Sequence, residues 1–312
     1  MKTKTIFAFS ALAIASCTTQ KKDMVKAPSA EKVEHKITTH GDTRLDNYFW
    51  MRLSDEQKNA ENPDEQTQNT LNYLNEENDY LKQKMAHTEG FQSELFTEIT
   101  SRIKQDDESV PVFKNGFIYY NRYAEGQDYA FYCRKKGSEE ADEEIMLNGP
   151  ELGKGQSYFA VGGTSVSPNN EMLAYSVDLV SRREYTIHVK SLINDEVFSD
   201  KIENTTGGVT WANDNKTLFY TKQDPVTLRS NQIFRHTIGT NQSADKLVYE
   251  EKDDTVGCSV YKTKSSKYLM IQSYQTLSSE VRFLDADNPA GEWTIILPRE
   301  ENHEYSANHY GD

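Results

Sequence analysis

The sequence predicts a mainly β protein: β-propeller blades over 106–312, preceded by a partly helical extension over 37–105. Three observations carry this. Hydrophobic periodicity changes from helical to alternating after Val110. The apolar runs beyond that point are short, rich in aromatic and β-branched residues, and punctuated by Gly and Asn. A polar turn followed by a strand then recurs at a spacing of 45 to 51 residues.

The chain begins MKTKTIFAFSALAIASC. Lys2 and Lys4 form a positive start, and Ile6 to Ala15 is an apolar run too short to span a bilayer. Ile14-Ala15-Ser16-Cys17 has the form of a bacterial lipobox: an aliphatic residue, two small residues and a cysteine. The expectation is a lipoprotein signal peptide over 1–16, with Cys17 lipidated as the mature N-terminus. The protein would then be held by its lipid at the bacterial cell envelope, facing the periplasm. Residues 17–36, rich in Lys, Thr and Ser with Pro28, read as a flexible tether.

Asp64 to His87 reads as a helix, with Leu71, Leu74, Leu81 and Met85 along one face and Asp64 able to cap its start. Gly90 would punctuate it. A second helix fits Phe91 to Ile103, with Phe91, Leu95, Ile99 and Ile103 in a stripe. Both stripes are expected to be structural core, packed together or onto a larger body.

Phe117–Tyr120 and Tyr129–Tyr132 are strand-like runs joined through Gly126. The repeat follows. Ser167–Tyr175, Ala212–Tyr220 and Thr263–Ile271 each combine a polar turn with a strand, aligning Leu173, Leu218 and Leu269. A second strand follows each copy, at Tyr185–Val189, Gln232–Arg235 and Glu280–Leu284. Several strands per unit at this period describe propeller blades, small twisted sheets that bury their faces against neighbours. Asp106 to Asp312 would hold about four to five of them. Propellers of four to eight blades exist, so a small complete ring and part of a larger one both fit. A β-sandwich accounts for the strands but not for the repeat.

The formal charge is -14, from 49 acidic and 35 basic residues. Such a surface repels phosphate, which argues against nucleic acid as a partner, and favours cationic ligands such as basic peptides. The three cysteines, Cys17, Cys133 and Cys258, include no C-x-x-C pair, and the latter two sit in apolar strand-like runs where buried free thiols are expected. The acidic stretches Glu139–Glu144 and Asp253-Asp254 read as solvated turns. No G-x-S-x-G elbow, H-E-x-x-H, Walker loop or Rossmann glycine pattern occurs. His303-Glu304-Tyr305 and His309-Tyr310 lie close together, but not at the helical spacing of a metal-binding pair, and no metal or cofactor is assigned. The residues by themselves describe a binding or gating module.

His40 to Trp50, with its D-x-Y-x-W core at Asp46, Tyr48 and Trp50, resembles the opening of the oligopeptidase B group in the prolyl oligopeptidase family of serine peptidases. Pro225–Leu228, Arg235–Thr240, Asp245–Thr255, Leu297–Arg299, His303–Ser306 and His309-Tyr310 continue the likeness in order, over roughly residues 36–312. The resemblance implies a seven-bladed propeller, incomplete within this chain, and a C-terminal α/β-hydrolase domain that this chain lacks. In that family the hydrolase domain carries the catalytic Ser, Asp and His, and members like oligopeptidase B cleave short peptides after Arg or Lys. No catalytic residue is therefore carried over, and the chain by itself is expected to be inactive. The alternative is a stand-alone envelope lipoprotein whose small propeller binds a ligand or partner.

Overall fold

The computed structural model describes residues 25–311, so the signal peptide, Cys17 and the first part of the tether lie outside the described residues. The chain divides into two compact units, Met1–Ile103 and Lys104–Asp312.

The first unit opens with a hairpin of β1 (His35–Thr39) and β2 (Asp42–Asp46), turned by His40 and Gly41, both at positive φ. His35 and Lys36, expected in the tether, are strand residues here. The D-x-Y-x-W stretch closes a tight turn. Asp46 Oδ1 accepts from the Tyr48 amide at 2.8 Å, the His35 ring stacks on Phe49 at 3.8 Å, and the Trp50 indole donates to the Glu31 carbonyl at 2.9 Å. A short helix α1 (Asp55–Lys58) precedes α2 (Glu65–Met85), whose N-cap Asp64 accepts from the Thr67 amide at 2.7 Å. α3 (Glu89–Ser101) follows after a 3-10 turn at Ala86–Thr88. Gly90 lies inside α3 rather than ending α2, since it keeps helical backbone and the 3-10 turn makes the break. The two apolar stripes are not buried: Leu81, Phe91, Ile99 and Ile103 are more than half exposed, and Phe96 is 70 % exposed.

The second unit is four antiparallel blades of four strands. The first is β3 (Val112–Lys114), β4 (Phe117–Arg122), β5 (Phe131–Lys136) and β6 (Glu143–Asn148). A short helix α4 (Gly149–Gly153) leads to the second blade: β7 (Ala160–Val166), β8 (Met172–Asp178), β9 (Tyr185–Ser191) and the first half of β10 (Val197–Trp211). The second half of β10 opens the third blade with β11 (Thr217–Gln223), β12 (Ser230–Thr237) and β13 (Lys246–Glu250). The fourth is β14 (Gly257–Lys262), β15 (Tyr268–Gln275), β16 (Ser278–Asp285) and β17 (Thr294–Leu297).

The repeated leucines are the same position in three blades. Leu173, Leu218 and Leu269 sit on the second strand and are fully buried. Three residues before each stands a residue at positive φ: Asn170, Asn215 and Ser266. That left-handed residue closes the turn between first and second strands, where Asn is tolerated because its side chain bonds locally. The first blade contains a fourth copy, Asn115 at positive φ before buried Ile118.

Apolar clusters lie between blades. Met146 and Leu147 of the first blade meet Leu173, Tyr175 and Val177 of the second. Ala174 and Val189 meet Trp211 and Leu218 of the third. Phe219 and Ile233 meet Cys258, Leu269 and Ile271 of the fourth. Each fully buried Leu, Ile or Phe is worth about 1.5–3 kcal/mol, so a blade is stable through its neighbours. Cys133 and Cys258 are buried free thiols, as expected, and burial pushes each up to about 12.

Strand β10 passes between blades through a bend at Asn204 to Gly208. Gly207 has φ +89°, and a Cβ there would stand 2.9 Å from the Tyr185 ring. Its carbonyl accepts from the buried Ser176 hydroxyl at 2.8 Å. Gly207→Ala is expected to cost at least about 1–3 kcal/mol, from the strained φ alone. A fall in the urea midpoint measures it, and an unchanged midpoint would show that the bend is permissive.

Candidate functional site

The first strands of the four blades line one cavity of about 750 Å³. Lys114 contributes from β3, Thr164 to Val166 from β7, Val209 to Trp211 from β10, and Tyr261 and Lys262 from β14. Neighbouring walls are bonded to each other. The Trp211 indole donates to the Ser165 carbonyl at 2.9 Å, and the Thr210 hydroxyl to the Val260 carbonyl at 3.3 Å.

The repeated turns stand at one end of these strands and are linked blade to blade. Asn115 Nδ2 donates to the Pro168 carbonyl at 2.7 Å, and Asn170 Nδ2 to the Asn115 carbonyl at 3.2 Å. The Asn169 amide donates to Asn215 Oδ1 at 2.8 Å, and Asn213 Nδ2 to the Ser266 carbonyl at 3.1 Å. The last residues extend the series onto the fourth blade, where His309 Nδ1 meets the Ser265 hydroxyl at 2.9 Å and the Lys264 amide donates to Asn308 Oδ1 at 3.3 Å. His309 packs edge-on against Tyr268, and His303 against Tyr305.

The acidic run Glu139–Glu144 is not wholly a solvated turn. Glu143 and Glu144 are strand residues, because β6 pairs with β5 in a register that sets Glu144 opposite Arg134. Arg134, nearly buried, grips Glu144 through two bonds of 2.7 Å and donates to the Asn170 carbonyl at 2.8 Å. Arg122 grips Glu143 and, with the Tyr120 hydroxyl, holds its carboxyl down to about 2, against the opposing effect of burial. These clamps fasten the first blade and its junction with the second.

A buried polar centre went unrecognised in the sequence. His236 on β12 is almost wholly enclosed, with Nδ1 2.7 Å from Asp245 Oδ1 and Nε2 2.9 Å from Asp200 Oδ1. Asp200 also accepts from the Gly239 amide at 2.6 Å, and Asp245 from the Tyr220 hydroxyl at 2.8 Å. Asp200 comes from the second blade and the other groups from the third. Burial pulls His236 down, but the hydrogen bonds and charges of Asp245 and Asp200 outweigh it and hold the imidazole above its ordinary value. A histidine beside aspartates suggests acid–base catalysis. Here both ring nitrogens are occupied and enclosed, so neither can reach a hydroxyl or water, and the group acts as a fastener. Two stretches that carry the resemblance, Arg235–Thr240 and Asp245–Thr255, meet at this centre. The sequence offers little signal for it, since His236, Asp200 and Asp245 all stand among other polar residues.

The profile of the family described as "Prolyl oligopeptidase, N-terminal beta-propeller domain" matches residues 28–312. The chain is 37 % identical over 301 residues to dipeptidyl aminopeptidase BI of Pseudoxanthomonas mexicana, covering 91 % of this chain and 40 % of that protein. It is 29 % identical over 295 residues to Protease 2 of Moraxella lacunata, covering 92 % and 41 %. Among solved structures it is similar to oligopeptidase B from Leishmania major, with a TM-score of 0.80 at 28 % identity, covering 92 % of this chain and 41 % of that one. The chain thus spans about two fifths of the length of the relatives it matches.

The His236 centre makes a pH prediction. A raised folded value means that its stabilisation is full below about 6.5, the ordinary histidine value, and is lost as pH rises through the folded value. His236→Gln is expected to cost about 3 kcal/mol at pH 6, because it leaves buried carboxylates uncompensated. The gap between variant and wild type should narrow toward pH 9. Thermal melts across that range test this, and a constant gap would refute it.

Proposed function

This chain belongs to the prolyl oligopeptidase family, whose N-terminal β-propeller domain it carries, and we propose that it is the gating propeller of a serine peptidase acting on short peptides. The observation that carries this is the convergence of all four blades on one cavity of about 750 Å³. That size suits a small ligand or a length of extended peptide, not a folded protein. Hydrolysis belongs to an α/β-hydrolase domain of the full-length peptidase, in which a serine activated by histidine attacks the peptide carbonyl. The exposed stripes of α2 and α3 support a larger body, since contiguous apolar faces on a protein surface mark interaction sites. We place the cleavage after Arg or Lys, by likeness to oligopeptidase B.

A second specificity is favoured by one observation: the 37 % identical relative is named a dipeptidyl aminopeptidase. On that reading, dipeptides are released from a free N-terminus. The two are separated by joining this chain to the catalytic part of that relative. Cleavage of an N-blocked Arg peptide supports the first reading, and a requirement for a free N-terminus supports the second. The chain by itself is expected to hydrolyse neither peptide above background. Robust turnover by the chain alone would overturn the gating role.

We further propose that the protein is anchored at the cell envelope through Cys17, on the strength of its lipobox-like setting. Labelled palmitate should enter the wild-type chain in a bacterial host and be absent from Cys17→Ser. Equal labelling of both would end this proposal.

A further inference from the structure

The cavity wall has a charge composition opposite to that of the chain. Although the chain carries 49 acidic and 35 basic residues, the described residues lining the cavity include Lys114, Lys262 and Lys264 and no aspartate, glutamate or arginine.

Lys262 is the most constrained of the three. It lies on β14, half-buried, and its ammonium donates to Asn213 Oδ1 at 2.7 Å. Asn213 is itself fixed, since its Nδ2 donates to the Ser266 carbonyl and, at 2.7 Å, to Asp287 Oδ1. The lysine is therefore held in one place, and two of its three N–H donors remain for another partner. Among the described residues no carboxylate stands within ion-pair distance of it. Asp287 is engaged by Asn213, and Asp214 is engaged by the Lys216 and Thr217 amides and the Thr217 hydroxyl. Lys114, from the first blade, adds a second positive charge near enough to disfavour the Lys262 ammonium. Lys264 stands nearby with its amine over the Tyr310 ring. Asp287 and Asp214 favour the ammonium from a distance, but burial and the Lys114 charge outweigh them, and a partly desolvated ammonium with no directly paired carboxylate is stabilised when an anion arrives.

We propose that this wall is a carboxylate receptor, in which the free α-carboxylate of a short peptide, or an acidic side chain, is held by Lys262 with Lys114 and Lys264 around it. The proposal rests on the cavity being a path for peptides. It reverses the expectation drawn from net charge, that basic peptides are the favoured guests: the outer surface is acidic, but the channel wall selects for the opposite end of the molecule.

Calorimetric titration of the full 312-residue chain at pH 7 and low salt tests it with three probes. These are a short N-acetylated alanine peptide as the free acid, the same peptide as its C-terminal amide, and an amide containing one glutamate. The free acid is expected to bind about tenfold tighter than the plain amide, the scale of one charge-assisted hydrogen bond. A gain confined to the free acid assigns the site to peptide termini, and a gain shared by the glutamate peptide assigns it to carboxylates generally. Lys262→Met should abolish the preference, Lys262→Arg should keep it, and Lys114→Met, on an exposed residue, should weaken it. The preference should also fade as pH rises through about 8, where burial and the Lys114 charge cause Lys262 to lose its proton. Equal binding of acid and amide, or a preference untouched by the Lys262 and Lys114 variants, overturns the receptor while leaving the peptide path intact. Absence of binding by any of the three peptides overturns both.

Discussion

Everything in the second unit depends on a turn. Between the first and second strand of each blade, one residue adopts a left-handed backbone: Asn115, Asn170, Asn215 and Ser266. That conformation reverses the chain tightly enough to bury the aliphatic residue three positions later, and Leu173, Leu218 and Leu269 thereby enter the interface with a neighbouring blade. The same turns then bond to one another, through Asn115 to Pro168, Asn169 to Asn215 and Asn213 to Ser266. A blade has no core of its own, because its sheet is two-faced and thin. Local turn chemistry therefore sets the register, and burial between blades supplies the free energy.

Much of this was legible in the sequence because the turn and the leucine recur together. Leu173, Leu218 and Leu269 hold the same place in each copy, and each is fully buried. The strands of the first blade are legible at Phe117–Tyr120, but its copy of the repeat is not, because it substitutes Asn115-Gly116 and Ile118 for the longer polar turn, so the pattern is present in conformation but diluted in residue type. The helices were placed by their stripes, but the stripes were expected to be core, and periodicity cannot say whether the surface that covers an apolar face is in the same chain. The continuation of β10 across two blades left no mark either, since one long strand and two short ones alternate alike.

The polar features were the least legible. A run of acids reads as solvent-facing until strand pairing sets Arg134 opposite Glu144 and brings Arg122, two strands away, within reach of Glu143. The His236 centre joins residues 36 positions apart in the chain, Asp200 and His236, and no spacing rule connects them. The cavity charge was hidden for a related reason. Net charge is a sum over the whole surface, whereas the lining is chosen by strand order, which gathers Lys114 and Lys262 from blades far apart in sequence. A global acidic balance and a local basic wall coexist without conflict.

Strand β10 is the outer edge of one blade and the inner edge of the next, joined at Gly207 without a loop. As the chain leaves the ribosome, the strand that completes the second blade also begins the third, so pairing its first half to β9 fixes where its second half receives β11. The two blades should therefore assemble as one kinetic unit, with the first and fourth, joined by looser connections, able to dock separately. A nascent chain paused just after Trp211 would present the unpaired β11-facing edge of Val209–Trp211, the point at which a chaperone would find it.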